Sequence, residues 1–444
     1  MQKSLTLIPV VFFVVACGGS PSSSIVTSSQ APTPVTLFVW APNQEQDFIE
    51  SRAEEFQFQN PQWDIQFNFL VVSEVDAKGL LLLDIVNGGD IFAFPDDQLE
   101  SIVEAGGLSE VNQYKDDVTA RNIPWTVDVA TVGDKLYAYP NTADNGTYMY
   151  YDKRYINEEE MASFDTILAR AEELDSFVNI DPMGGWSMAM WFTATNHLSW
   201  SRIDWEQTID WNNEAGIRAA QTMMNYYATN RLIDDGLLLP TQFVENNVGN
   251  LQDGAIAGMS GYWHTNAILD ILGENMGTIK MPSYTSVDGN TYQFGSMVGA
   301  RMLGVNAYTK YPAAAHGFAN YLTSAEVQLK RAKELFVAPS NLEVAAMEEV
   351  QALPTFKALA DQSPFGIPQA RSVSQYYWTP ADAFANAIIR DARDVHQQVV
   401  AAREANPLLD EQQLYAQYLA IKYENIPGYL NTLVEQVTSL PAKP

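Results

Sequence analysis

The chain has 444 residues, of which 47% are apolar and 11% aromatic, so it can bury a large core in two domains of ordinary size. Its 25 basic residues stand against 54 acidic ones, which gives a formal net charge of −29. A field this negative, with no basic run to offset it, argues against a nucleic-acid partner or an anionic lipid partner. Four scattered histidines and one cysteine predict neither a metal site nor a cofactor.

The first 17 residues have the features of an export signal. A positive start at Lys3 is followed by the apolar run Leu5–Ala16, which is shorter than the roughly 20 residues that a membrane-spanning helix needs. Small residues then precede Cys17, the only cysteine of the chain. The pattern resembles a bacterial lipobox, in which residues 1–16 are removed as a signal peptide and Cys17 is lipidated. An ordinary signal peptide with an incidental cysteine is the alternative.

A segment rich in Gly, Ser, Pro and Thr follows, over residues 17–35. This composition predicts a flexible tether between a lipid anchor and a folded body. No later stretch is apolar over 18 residues. Contact with the cell membrane is therefore expected through the lipid anchor only, with the body facing outside the cell or into the periplasm.

Strands and helices alternate through the next part of the chain. In order they are a strand at 35–40, a helix around 48–56, a strand at 63–72, a helix at 76–86, a strand at 89–94 and a helix at 97–105. This alternation is typical of right-handed parallel crossovers and predicts an α/β fold. Ligands of such sheets bind beyond the carboxyl ends of the strands, an edge that here carries residues 41–45, 73–76 and 94–98.

Four segments, in order, resemble the family-1 extracellular solute-binding proteins, the maltose/maltodextrin-binding group. They are residues 89–108, with Gly89-Asp90-Ile91-Phe92 and Ala105-Gly106-Gly107-Leu108, residues 135–153, residues 257–266 with Gly261-Tyr262-Trp263, and residues 337–340. The resemblance covers roughly residues 36–440. It implies a two-lobed fold of the periplasmic-binding-protein type, type II-like, with a ligand cleft between lobes that are joined by crossing segments.

The resemblance also implies how the chain divides between the lobes. Lobe 1 is expected from residues 36–143 and 299–340, and lobe 2 from residues 144–298 and 341–444. The stretch from Thr379 to about Lys422 is predicted to be helical, with an interruption near Asn406-Pro407. These helices are expected to pack on the outside of lobe 2.

A sugar cleft needs aromatic rings that stack on the sugar and amide or carboxylate groups that bind its hydroxyls. By resemblance, eleven residues take sugar-binding positions: Gln44, Glu45, Asp76, Phe94, Asp97 and Gln98 after the strands of lobe 1, Asp144 and Asn145 at the first crossing, and Trp186, Trp263 and Trp378 in lobe 2. Trp191 is the alternative to Trp186. Gln98 stands where maltodextrin binders carry a basic residue, which leaves the identity of the sugar open.

Some of these positions also have a purely structural interpretation. Asp97 is well placed to cap the helix that follows it. Asp144-Asn145-Gly146 has the composition of a turn. Tryptophans are more often core residues than ligand platforms, although the motif around Trp263 favours the site.

The resemblance implies the substrate-binding lipoprotein of an ABC importer, a monomer that binds a neutral oligosaccharide and delivers it to permease subunits in the membrane. No catalytic residues are predicted, because the recognisable hydrolase, zinc-protease and phosphate-loop motifs are missing from the sequence. Two alternatives remain: a lipid-anchored adhesin or scaffold that binds polysaccharide without transport, and a glycoside hydrolase, which needs only two well-placed carboxylates.

Overall fold

The computed structural model describes residues 31–180, 184–192, 198–201, 206–230 and 247–439. The predicted signal peptide, Cys17 and most of the predicted tether lie outside these residues. None of the helices within them combines the length and the apolar character that crossing a membrane requires.

The described residues form sixteen strands, most of which belong to two sheets. The strands are β1 Thr33–Ala41, β2 Trp63–Val71, β3 Ile91–Pro95, β4 Thr131–Val132, β5 Lys135–Leu136, β6 Ala138–Gly146, β7 Tyr148–Asp152, β8 Phe177–Asn179, β9 Leu198–Ser201, β10 Glu206–Ile209, β11 Ala255–Ser260, β12 Met276–Ile279, β13 Ser283–Thr285, β14 Thr291–Gln293, β15 Ser296–Val305 and β16 Gly366–Pro368.

The same residues form α-helices that cover these sheets. The helices are α1 Gln46–Gln59, α2 Glu74–Leu83, α3 Leu99–Glu104, α4 Lys115–Arg121, α5 Pro124–Val129, α6 Phe164–Glu173, α7 Gly185–Met188, α8 Glu214–Thr229, α9 Asn247–Gln252, α10 Tyr262–Leu272, α11 Pro312–Leu322, α12 Ala325–Leu335, α13 Leu342–Ala345, α14 Glu348–Gln351, α15 Pro354–Gln362, α16 Gln369–Ser372, α17 Trp378–Ala405, α18 Glu411–Tyr423 and α19 Ile426–Thr438.

The first sheet joins strands that lie far apart in the chain. Its order is β16–β15–β3–β1–β2, and β6 pairs with the other side of β15. β1 is parallel to both β2 and β3, as the alternation of strands and helices predicts. β15 is antiparallel to β3 and to β6, so it inserts residues 296–305 between two strands of the N-terminal part of the chain.

The second sheet has the order β12–β7–β11–β8, in which β7 is antiparallel to both of its neighbours. The long helix α17 packs against α7 and α8, and α18 and α19 pack beside it. The predicted C-terminal helices are therefore present, and the chain leaves helical conformation between α17 and α18 at Asn406, near the predicted interruption.

Two large hydrophobic clusters surround the two sheets. The first contains Leu37, Phe92 and Met302 and draws its other residues chiefly from 35–139 and 300–327. The second contains Met149 and Ile388 and draws its other residues from 149–297 and 373–437. Each lobe is therefore built from pieces that are discontinuous in sequence.

The first strand starts earlier than predicted. Thr33 and Pro34 already pair with Trp63 and Asp64, because β2 begins at Trp63 and runs beside them. Residues 33–35, predicted as the end of the tether, therefore belong to the folded body.

The third predicted helix is also shorter than expected. Asp96–Gln98 form a tight 3-10 turn, and the α-helix begins only at Leu99. This turn lets Asp96 accept a hydrogen bond from the backbone N–H of Ala300 on β15, at 3.1 Å. A regular helix from Asp97 is thus replaced by a turn that is anchored to the neighbouring strand.

Candidate functional site

The polar residues that follow β1, β2 and β3 meet at one edge of the first sheet, as parallel strands predict. Glu45 follows β1, and Glu74 opens α2 after β2. Both carboxylates contact the guanidinium of Arg301, at 2.5 and 3.1 Å. Gln98, after β3, donates its side-chain amide to the carbonyl of Val75 at 2.9 Å. This edge therefore brings Glu45 and Gln98, two predicted site residues, into neighbouring loops.

Arg301 is the centre of a buried ion network. Its side chain is fully buried on β15 and contacts Asp144 at 3.3 Å in addition to Glu45 and Glu74. Arg331 of α12 supplies a second buried cation, 3.2 Å from Glu45. Burial works to raise the pKa of Glu45, but the charges of Arg301 and Arg331 together hold that pKa below its ordinary value. The network therefore keeps Glu45 ionised in a buried place.

Asp144 binds a second segment of the chain at Ala338. Its Oδ1 accepts a hydrogen bond from the hydroxyl of Thr142 at 2.6 Å, and its Oδ2 accepts one from the backbone N–H of Ala338 at 2.9 Å. The alternative of a turn at 144–146 is wrong, because these residues continue β6, where Asn145 is paired with Gly299 of β15. The carboxylate thus ties β6 to the segment at Ala338, two stretches that the resemblance predicts to be crossings.

Tyr262 of α10, in the part of the chain that is predicted to form lobe 2, reaches into this network. Its hydroxyl donates to Glu74 Oε2 at 2.6 Å and accepts from the amide of Gln44 at 3.3 Å. The guanidinium carbon of Arg301 lies 3.4 Å from the centre of the tyrosine ring, a close cation–π contact. Burial raises the pKa of Glu74 and that of the Tyr262 hydroxyl. One side chain of the predicted lobe 2 therefore contacts three polar groups of the predicted lobe 1.

Two predicted tryptophans meet beside Tyr262. The rings of Trp186 and Trp263 are edge to face, with their centres 5.8 Å apart. Trp263 makes a second edge-to-face contact with Tyr262, at 5.6 Å. Both indoles are only partly buried, so the structure provides a continuous aromatic wall on lobe 2.

Asp97 connects this wall to lobe 1. Its Oδ2 accepts a hydrogen bond from the indole N–H of Trp378 at 3.1 Å. Its Oδ1 accepts one from the amide of Gln369 at 2.6 Å, and the same amide group accepts the indole N–H of Trp186 at 2.9 Å. The structure therefore brings together Asp97, Trp186 and Trp378, three residues predicted from different parts of the sequence. An open pocket of about 360 Å³, including solvent at its mouth, adjoins Asp97.

Two of the predicted aromatic positions lie in the hydrophobic cores. Phe94 belongs to the central strand β3, is fully buried and packs 5.6 Å from Phe92, so it has no open face for a sugar. The expected platform at this position is therefore absent from the conformation described. Trp191 is also fully buried, among aromatic rings of lobe 2. Of the two alternatives, Trp186 is thus the tryptophan with a partly exposed ring, beside Trp263.

Asp76 lies outside the network. It is exposed in the first turn of α2, where its carboxylate accepts the hydroxyl of Ser73 at 2.6 Å and its backbone N–H donates to the same hydroxyl at 3.2 Å. These contacts cap the helix. Across the described ranges, no group of three or more histidine, cysteine or acidic side chains is placed to hold a metal ion.

Five residues of the site were missed in the sequence: Glu74, Tyr262, Arg301, Arg331 and Gln369. Arg301 had a detectable signal, because it is the only charged residue in the apolar run Met297–Val305. Tyr262 stands next to Trp263 in a segment that the resemblance had already identified. Gln369 lies in a segment with no distinctive pattern, so only the fold reveals it.

Asp97 gives a prediction about pH. Burial is the main cause that raises its pKa to about 6 from an ordinary value of 3.8, against the opposing effects of Lys78, Trp378 and Gln369. Between about pH 4 and pH 6 the folded protein retains a proton that the unfolded chain releases, so this carboxyl costs stability as the pH rises through that window. By pH 7 the cost should reach about 1–3 kcal/mol.

Asp97→Asn should remove this contribution, which can be followed as the difference in melting temperature between variant and wild type from pH 4 to pH 7. We expect the melting temperature of the variant to increase relative to that of the wild type as the pH rises. Asp64→Asn, at an exposed carboxylate of β2, is the control. A constant difference between Asp97→Asn and the wild type over this range would contradict the prediction.

Comparison with known proteins identifies the family. Residues 52–358 match the family model described as bacterial extracellular solute-binding protein. A comparison with curated protein sequences finds no match.

Several solved structures have a similar fold. The maltodextrin binding protein from L. casei without ligand is 19% identical, with a TM-score of 0.67 over 91% of this chain and 99% of that chain. The Thermus thermophilus maltotriose binding protein bound with maltotriose is 16% identical, with a TM-score of 0.67 over 88% of this chain and 100% of that chain. The GacH receptor of Streptomyces glaucescens is 16% identical, with a TM-score of 0.65 over 88% and 98% of the two chains.

These likenesses confirm the predicted two-lobed α/β fold. The family model spans well over half of the sequence and includes β2, β3, β6 and β15 of the first sheet as well as the aromatic wall. The chain therefore belongs to the bacterial extracellular solute-binding proteins.

Proposed function

We propose that the protein is the substrate-binding lipoprotein of an ABC importer, and that it binds a neutral oligosaccharide between its lobes and delivers it to a membrane permease. The observation that carries this proposal is the arrangement of Trp186, Trp263 and Trp378 beside the carboxylate of Asp97 and the amide of Gln369. Indole faces suit the C–H faces of a sugar ring, and the polar groups suit its hydroxyls.

The charges near the cleft favour an uncharged ligand. The guanidiniums of Arg301 and Arg331 are buried and already engaged by the carboxylates of Glu45, Glu74 and Asp144. They therefore have little capacity left for a phosphate or carboxylate ligand, and the net charge of −29 adds a repulsive field. A neutral oligosaccharide needs no cationic partner and is not repelled by this field.

Binding is expected to work through lobe closure without chemical change to the ligand. A ligand that contacts both lobes favours the closed conformation by its greater affinity for that state. Residues of both lobes are available for this: Gln44 and Asp97 on lobe 1, and Trp186, Trp263 and Trp378 on lobe 2. The solved relatives carry names or ligands of the maltodextrin and acarbose type, which supports a saccharide as the ligand class.

Titration of the pure protein with a panel of saccharides tests the proposal. Calorimetry and intrinsic tryptophan fluorescence should both report binding of one or more neutral oligosaccharides, such as maltotriose, and no binding of a sugar phosphate. Chromatography of the mixtures should return the saccharides at their original length. Shortened products would favour the glycoside hydrolase, and failure of the whole panel to bind would refute the proposed ligand class.

Transport is distinguished from adhesion by the genes that neighbour the coding sequence. Two genes for membrane permease subunits beside it would support import. Their absence, together with binding to an insoluble polysaccharide, would favour the lipid-anchored scaffold.

The lipid anchor gives a prediction of its own. Cys17→Ala should abolish incorporation of a labelled fatty acid and release the protein from the membrane fraction, because the thiol is the proposed site of acylation. Ser22→Ala in the same segment is the control and should leave labelling unchanged. Undiminished labelling of Cys17→Ala would exclude the proposed anchor.

A further inference from the structure

The backbone of Tyr262 is fixed to the elements of the second sheet. Tyr262 opens α10, which follows β11 almost directly and packs against β11 and β12. One turn further on, the hydroxyl of Thr265 lies 2.5 Å from the hydroxyl of Tyr148 on β7. Ile268, in the next turn, is buried with Tyr148 in one hydrophobic cluster. A movement of the second sheet would therefore carry Tyr262 with it.

The side chain of Tyr262, by contrast, has polar partners on the first sheet and its loops. Gln44 lies between β1 and α1, Glu74 opens α2, and Arg301 lies on β15. The tyrosine hydroxyl donates to Glu74 at 2.6 Å and accepts from the amide of Gln44 at 3.3 Å. The ring centre lies 3.4 Å from the guanidinium carbon of Arg301. Three contacts therefore join elements of the first sheet to a helix of the second.

These contacts are buried, which strengthens them. Only 5% of the surface of Tyr262 is exposed, and Arg301 is fully buried. A hydrogen bond to a carboxylate is stronger than one between neutral groups, and a cation–π contact gains strength where water is excluded. Separation of the two sheets at this point would break all three contacts and leave the carboxylate of Glu74 with one donor fewer. The arrangement therefore opposes separation.

A second contact between the same parts of the chain differs in one respect. Trp378, the first residue of α17, donates to Asp97, which lies just before α3. Both are predicted sugar-binding residues, so a bound saccharide can compete for their polar groups. Glu74 and Arg301 are not among the predicted sugar-binding residues. The contact of Tyr262 with them can therefore remain while a saccharide occupies the aromatic wall.

From this geometry we propose that Tyr262 is a latch: with Glu74 and Arg301 it holds the two predicted lobes together in the ligand-free protein, and it stays engaged when ligand is bound. A group that contacts both lobes in the closed conformation favours that conformation, whether it belongs to a ligand or to the chain itself. The ligand-free protein should therefore be closed for most of the time and open only transiently.

The latch has a consequence for ligand exchange, which rests on the proposed function. A saccharide can enter and leave only while the cleft is open, so the apparent association rate falls with the fraction of molecules that are open. Release is slowed for the same reason. Because the latch stabilises the closed conformation both with and without ligand, its loss should raise both rate constants by a similar factor and change the dissociation constant little.

Stopped-flow tryptophan fluorescence, with an oligosaccharide identified by the panel, tests this consequence. Tyr262→Phe keeps the ring over Arg301 and removes both hydrogen bonds of the hydroxyl. We expect its association and release rate constants to rise roughly tenfold each, with a dissociation constant within about threefold of the parent value. Tyr226→Phe is the matched control and should keep the parent rates. Its hydroxyl also donates to a carboxylate, that of Asp165 at 2.5 Å, but both residues lie around the second sheet.

The ligand-free conformation is measured without any saccharide. Small-angle X-ray scattering uses the secreted chain with Cys17→Ala, which removes any association that a lipid would cause. The parent should have a smaller radius of gyration than Tyr262→Ala, which loses the ring as well as the hydroxyl. Circular dichroism checks that Tyr262→Ala is folded. Should that variant not fold, the rates of Tyr262→Phe decide the matter.

Three results would overturn the latch. The first is an equal radius of gyration for the parent and folded Tyr262→Ala. The second is a parent chain that becomes more compact when saccharide is added, since the latch should already have closed it. The third is faster release of saccharide from Tyr262→Phe without faster association, because Tyr262 would then stabilise only the bound protein. If no saccharide binds, the proposed ligand class fails, and the scattering of the ligand-free chains still decides the latch.

Discussion

Arg301→Met should lower the free energy of unfolding by about 3–5 kcal/mol, because it leaves buried carboxylates without their counter-ion. Arg301 is fully buried, and its guanidinium contacts Glu45, Glu74 and Asp144 within 3.3 Å. Methionine fills similar space but offers no hydrogen bonds. Melting temperature and urea unfolding, followed by circular dichroism, would measure the loss.

A surface arginine provides the control for this prediction. Arg403→Met breaks an ion pair with Glu411 whose side chains are both substantially exposed, and such pairs contribute about 0–1 kcal/mol. The double variant Arg301→Met with Glu74→Gln should recover part of the stability, since Glu74 loses its arginine in Arg301→Met whereas Glu45 keeps Arg331. If Arg301→Met and Arg403→Met have equal stability, the buried network does not stabilise the fold.

Trp263→Ala should weaken saccharide binding at least tenfold, with little effect on folding. Trp263 stands at the middle of the aromatic wall, between Trp186 and Tyr262, and its ring is only partly buried. Loss of a stacked ring costs on the order of 1–3 kcal/mol, and 1.4 kcal/mol corresponds to tenfold in the dissociation constant. Calorimetry with an oligosaccharide identified by the panel would measure it.

The matched control is Trp125→Ala, which removes an exposed tryptophan of α5 that takes no part in the cleft contacts described above. Trp125→Ala should bind saccharide as the wild type does. Both variants should melt within a few degrees of the wild type. An unchanged dissociation constant for Trp263→Ala would show that the ligand does not bind at the aromatic wall. It would not affect the family assignment.

The parallel part of the first sheet was predictable because its signals are local. β1, α1 and β2 follow directly from runs of apolar residues and their spacing, and Phe48, Ile49 and Phe56 are buried as the helical spacing requires. The insertion of β15 between β3 and β6 was not predictable in this way. It pairs residues that are far apart in sequence, and an apolar run such as Met297–Val305 fits several places in a sheet.

The clustering of predicted residues was foreseeable where the resemblance named them one by one, and the prediction failed where burial decides which rings are open. Trp186, Trp263, Trp378 and Asp97 are brought together by the fold, although their contact with sugar remains a prediction. Phe94 has the right residue type and the right strand, but both faces of that strand are covered. The role of Arg301 depends on carboxylates from three separate segments, so no sequence pattern near it could identify its partners.

The place of β15 has a consequence for how the protein matures after synthesis. The N-terminal lobe cannot close its sheet until residues 296–305 have arrived, and these follow the strands and helices of residues 147–295 in the chain. A chain emerging from a secretion channel N-terminus first would therefore hold β3 and β6 apart and exposed while residues 147–295 follow them. Chaperone contact, degradation and off-pathway association should concentrate in that interval, and the second lobe should be completed later still, because its core also needs residues 373–437.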